Sequence, residues 1–163
     1  MSFKWRGEHV GLQAVDETST TQQHELGLRA CGFDSTYGYG EFIYLPGVAS
    51  TIAGSAVIYD TYAGTTTLTL AASEGPIGIA MSANVASQWG WYQIFGSAVV
   101  DTAAGAVANA MVYVTATAGT VDDADVINTQ VDNAVFKTAV DTPSTGFAVI
   151  QISYPSANSQ SED

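Results

Sequence analysis

Residues 88–100 read QWGWYQIFGSAVV, and the fold depends on how the two faces of this stretch are covered. With a period of two, one face carries Trp89, Trp91, Gln93, Phe95, Ser97 and Val99. The other carries Gly90, Tyr92, Ile94, Gly96, Ala98 and Val100. Neither face is charged. A strand with one wet face alternates apolar with polar residues, so this one needs a cover on each side. The expectation is that one face fills the body's own interior and the other meets a sister copy or a larger protein surface.

Moving outward, the same period recurs in both directions. Upstream lie LGLRAC, EFIYLPG, SAVIYD, GTTTLTL and PIGIAMS; downstream lie AMVYVTA, NAVFKTAV and FAVIQISY. PIGIAMS sets Ile77, Ile79 and Met81 together, and FAVIQISY sets Ala148, Ile150, Ile152 and Tyr154 together. Turn signals fall between them, which gives about nine or ten short strands at sandwich or barrel spacing. No long amphipathic helix appears; residues 22–28 and 81–88 are at most a short helix or a helical turn. The predicted fold class is all-β: a compact β-barrel, β-tulip-like or sandwich domain with an extended N-terminal arm. The expected boundaries are an arm at 1–24, a body at 25–155 and a flexible polar tail at 156–163. Phe3 and Trp5 are the apolar anchors of the arm.

The chain has 163 residues, enough for one domain with its own core. It is 47% hydrophobic but only 12% charged, about half the usual charged share. The formal charge is -12, unevenly spread. Residues 30–163 hold Lys137 as the only Lys or Arg against twelve acids. Such a body repels phosphate backbones, so nucleic acid is not an expected partner. One cysteine, Cys31, allows no internal disulfide. The start MSFKWRGEHV has cations with no apolar run behind them, unlike a signal peptide. No stretch approaches the roughly 20 apolar residues of a membrane helix, so no membrane association is expected.

Catalytic chemistry finds little purchase. His9 and His24 both lie in the arm, where a general base lacks a rigid seat. Cys31 with His24 could be drawn as a nucleophile pair, but a packed thiol is the simpler reading. Asp122, Asp123 and Asp125 suggest a cation loop. Counted from Asp123, however, the sixth position is Asn128 and the twelfth is Ala134, where a calcium loop needs Gly and an acid. No cofactor, metal or catalytic residue is therefore assigned. Trp89, Trp91 and Tyr92 would stack on sugar rings if exposed; otherwise they are core or interface anchors. The interface candidates are Phe3, Trp5, Trp89, Trp91 and Phe95.

LGLRACGFDSTYGYGEFIYLPGVASTIAGSAVIYD resembles the opening of small structural proteins encoded beside the major capsid protein of tailed bacteriophages. Leu26, Gly27, Asp34, Tyr44, Gly54, Ala56 and Val57 carry the likeness. GPIGIAMS, QIFGSAVV, MVYVTATAGTVDD and DTPSTGFAVIQI follow in the order of the later strands of capsid decoration, or cement, proteins. The resemblance spans about residues 26–155. It implies a non-enzymatic structural protein, made in the host cytoplasm, that stabilises the outer capsid surface of the virion by binding the major capsid protein. It also implies a homo-oligomer, a trimer by preference, and an arm lying across the shell. This chain departs from that pattern in its longer, Trp-containing arm and its acidic body. The alternative expectation is a carbohydrate-binding virion surface module, such as an adhesin or head-fibre component.

Overall fold

A computed structural model describes residues 3–5, 13–125 and 129–159. The strands are β1 (Lys4–Trp5), β2 (Arg29–Asp34), β3 (Gly38–Pro46), β4 (Ala56–Asp60), β5 (Thr65–Leu68) and β6 (Gly75–Ala80). They continue with β7 (Trp89–Asp101), β8 (Met111–Val114), β9 (Val121–Asp122), β10 (Thr129–Phe136) and β11 (Phe147–Ser159). Among the described residues there is no helix, and residues 22–28 and 81–88 are turns and irregular chain. The all-β expectation holds. All strand pairs are antiparallel, in the order β1-β2-β3-β7-β6-β11-β10-β8-β9, with β4 joining β6 and β5 joining β4. This single sheet is not closed into a barrel by a continuous ladder. An isolated parallel bridge, Thr102 to Val121, links the residue after β7 to β9.

Two strands of 13 residues each organise the molecule. The first half of β7 lies between β3 and β6, and its second half pairs with β11. β11 pairs first with β7 and then with β6, keeping β10 on its other side. Each strand bends where its partner changes. In β7 the bend is at Gly96, whose φ of 100° is left-handed. A Cβ there would sit 2.3 Å from the Tyr39 carbonyl oxygen, so only glycine fits. The buried Gln93 amide steadies the bend by donating from Nε2 to the carbonyls of Phe95 and Ser97, both at 3.0 Å. In β11 the bend is at Tyr154, within a bulge where residues 153–155 stand opposite Asn133 of β10. Of the tail expected at 156–163, residues 156–159 are paired in β11, and 160–163 lie outside the described residues.

The bends divide the apolar interior into three clusters. The first draws Ile77, Ile79, Ala98, Val100, Val112, Phe136, Ile150 and Ile152 from β6, β7, β8, β10 and β11. The second joins Phe3, Val15, Phe42, Tyr44, Met81 and Trp91. The third joins Ile43, Leu45, Val57, Tyr59, Tyr92 and Ile94. Clusters two and three lie on opposite faces of β3 and of the first half of β7. Met81, expected beside Ile77 and Ile79, crosses to the second cluster because β6 ends at Ala80.

Candidate functional site

The first half of β7 is covered on both faces by its own chain. Tyr92 and Ile94 pack under β4, where Val57 and Tyr59 meet them. Trp91 points the other way and is 0% exposed. Residues 3–5 and 13–24 of the segment expected to be an extended arm cover it. β1 pairs with β2, setting Lys4 opposite Phe33 and Trp5 opposite Gly32. The Phe3 ring then meets the Phe42 edge at 5.0 Å, and the Trp5 ring meets Trp91 at 4.9 Å. Residues 13–24 complete the strap. Ser19 and Trp89 exchange two backbone hydrogen bonds of 3.0 and 2.9 Å. The Gln13 carbonyl accepts from both indoles, Trp91 at 3.0 Å and Trp5 at 3.2 Å. Tyr44 donates its hydroxyl to Gln13 Oε1 at 3.1 Å.

Three expectations change here. Trp91 is an interior anchor and not a contact residue, because the strap fills the place assigned to a partner. Phe3, 8% exposed, and the half-buried Trp5 are spent on the same cluster. A sugar platform built on Trp89 and Trp91 is likewise closed, since only Trp89 retains partial exposure.

The second half of β7 differs. Phe95, Ser97 and Val99 are half-buried, while Gly96, Ala98 and Val100 face the first cluster. Phe95 belongs to an open ledge across β2, β3, β7 and β11. Its ring lies 6.1 Å from that of Tyr39 and 5.6 Å from that of Tyr154. Phe33, directly opposite Tyr39, is 40% exposed; Tyr39 and Tyr154 are 44% and 46% exposed. Glu41 ties the ledge together, accepting the Tyr154 hydroxyl at 2.7 Å and the Tyr39 hydroxyl at 3.2 Å. The Arg29 guanidinium stands 5.7 Å from the centre of the Tyr154 ring. A shallow depression of about 250 Å³ lies between Arg29, Cys31, Tyr39 and Glu41.

The electrostatics follow from these contacts. Tyr39 is pushed up to about 12, first by its hydrogen bond with Cys31, then by desolvation and the Glu41 charge. Tyr154 is raised chiefly by its hydrogen bond to Glu41, with Arg29 opposing. Both phenols therefore remain neutral donors at ordinary pH. Phe95 is thus the one sequence candidate that joins an exposed aromatic group. Arg29, Tyr39, Glu41 and Tyr154 were not singled out from sequence. Tyr39 and Glu41 share a parity in STYGYGEF that would have suggested a common face. Nothing local marks Tyr154, because a left-handed residue breaks the alternation of β11.

The remaining candidates do not converge. Cys31 lies on the ledge, whereas His24 packs on Tyr44 and Trp91 across the sheet, its Nε2 accepting the Gln13 N–H at 3.3 Å. His9 and Asn128 lie outside the described residues. Asp123 Oδ2 accepts from the Val107 N–H at 3.0 Å, and Asp122 Oδ1 from the Asp123 N–H at 2.8 Å, so these acids shape a turn. Among the described residues no three His, Cys, Asp or Glu are grouped to hold a metal ion. Those residues also include no helix long and apolar enough to cross a membrane. No family model, curated protein or solved structure matches the chain.

Proposed function

We propose that this chain is a non-enzymatic structural protein of a virion, a decoration protein of sandwich or β-tulip type that binds the outside of a tailed-phage capsid. The observation that carries the reading is the charge distribution on a rigidly tied body. Residues 30–163 oppose Lys137 with twelve acids, and two long bent strands join three clusters into one unit. A stiff acidic body is suited to a basic protein surface met repeatedly over a shell, where many modest contacts add through symmetry. The order of the motifs over residues 26–155 supports the same reading. In it the partner is the major capsid protein, the chain acts as a homo-oligomer, preferably a trimer, and the place is the outer capsid surface. Because Phe3 and Trp5 are held internally, attachment falls to the body and not to an arm.

The test is cosedimentation of the purified chain with undecorated capsids built from the major capsid protein encoded beside it. Binding at low salt that weakens steeply as salt rises supports the reading. Absence of binding at low salt refutes it. The native mass, measured alongside, separates a trimer from a monomer.

A further inference from the structure

We propose that the ledge formed by Arg29, Tyr39, Glu41, Phe95 and Tyr154 is a binding platform for an uncharged sugar ring of a glycan. This is independent of the capsid reading and uses none of the residues that close the strap.

A pyranose has one face of C–H groups and a rim of hydroxyls. The C–H face needs the negative face of an aromatic ring, and the hydroxyls need donors and acceptors at its border. The ledge supplies both. The rings of Phe95 and Tyr154 are tilted by 44° to each other, Tyr154 being 46% exposed and Phe95 half-buried. At their border stand the Glu41 carboxylate and the Arg29 guanidinium. Each Glu41 oxygen accepts one tyrosine hydroxyl, and a carboxylate oxygen retains capacity for a further donor. The Arg29 guanidinium lies over the Tyr154 ring, 5.7 Å from its centre, a cation–π contact that consumes none of its N–H donors. Charge-assisted bonds from these two groups can address neighbouring hydroxyls of one ring.

A second observation points to the same place. Tyr154 has a φ of 52°. A bulky residue in the left-handed region is strained, and such strain persists where the surrounding structure enforces it, often at ligand clamps. Here it turns Tyr154 away from the row of Ala148, Ile150 and Ile152, which stay buried. The ring is thereby delivered onto Phe95, with its hydroxyl on Glu41. Ordinary alternation would have placed it inside. The formal charge of -12 selects among sugars: acidic glycans are repelled at long range, and neutral ones are not.

The experiment is amide chemical-shift titration of the full chain with neutral hexaoses of glucose, mannose, galactose and N-acetylglucosamine. The expected result is saturable binding of at least one, with shifts centred on residues 29–31, 39–41, 95 and 154. Arg29→Gln and Tyr154→Asn should each weaken it by about tenfold or more. Asparagine is chosen because it tolerates positive φ. Arg29→Gln, at an exposed position, serves as the decisive variant should Tyr154→Asn fail to fold. Four results overturn the proposal: no hexaose shifting these amides at millimolar concentration, shifts centred elsewhere, binding unaffected by Arg29→Gln, or ledge variants that lose capsid binding in a chain that binds no hexaose. The last assigns the ledge to protein contact and leaves the capsid reading standing. Hexaose binding without capsid binding does the reverse.

Discussion

The two halves of β7 have similar apolar sequences and opposite fates. From Trp89 to Ile94 nearly every residue is buried, because the strap closes one face and β4 the other. From Phe95 to Asp101 buried and half-buried residues alternate, because only one face has a cover. The strand itself does not decide between these outcomes. The cover does, and on the strap side it comes from residues more than 60 positions away, such as Ser19 and Gln13. Apolar character on both faces therefore shows that covers are needed without showing whose they are.

The largest test of this contrast is Trp91→Ala. Emptying a fully buried indole site should cost about 3–5 kcal/mol, read as a lower denaturant midpoint. It should also loosen the strap, seen as faster amide exchange at Ser19 and Trp89. Phe95→Ala, across the bend, should cost less than half as much. Equal costs would show that the halves are not distinct.

Next comes Gly96→Ala. The φ of 100° and the 2.3 Å approach to the Tyr39 carbonyl force the backbone to shift, at a cost of about 2 kcal/mol or more. The bend separates the halves, so amide shifts should spread to both Gln93 and Tyr39. A neutral substitution would mean that the bend is not held at this residue.

Tyr44→Phe keeps the ring in its cluster and removes the hydroxyl that donates to Gln13 Oε1 and accepts from the Gln23 N–H. The expected loss is about 1 kcal/mol, confined to the strap side. An unchanged midpoint would show that the strap is held by its rings alone.

The smallest effect is alkaline and belongs to the open half. Tyr39 is raised to about 12 in the fold by Cys31, desolvation and Glu41, against about 10 for an unfolded tyrosine. The fold prefers the neutral phenol. Its contribution is therefore complete below about pH 10 and is lost as pH rises from there towards 12. In Tyr39→Phe the alkaline rise in tyrosinate absorbance should lose one late-titrating phenol while those of Tyr154 and the buried tyrosines stay, and in Glu41→Gln part of the rise should move to lower pH.

Several features could be read directly from the chain. β-branched and aromatic runs with a period of two, cut by Gly and Pro, located most strands within a few residues. Ile77, Ile79, Ala148, Ile150 and Ile152 lie on the buried face that their spacing suggested. The misreadings have physical causes. Tyr154 left its row through a left-handed backbone, and Met81 changed cluster at a strand end. The alternation of GTTTLTL likewise ends with β5 at Leu68, so Thr69 is fully buried while Thr65 and Thr67 are exposed. The arm is polar, yet its residues 13–24 are stitched down by bonds such as those from two indoles to the Gln13 carbonyl. Bonds of that kind leave no periodic trace.

By itself the sequence determined the all-β class, the positions of the strands, the acidic character of the body and the need to cover two apolar faces. These depend on local spacing and composition. Tertiary structure alone decided which segment supplies each cover, where β7 and β11 bend, and which aromatic rings remain outside. Those outcomes depend on contacts between residues far apart in the chain, and short-range pattern carries no record of them.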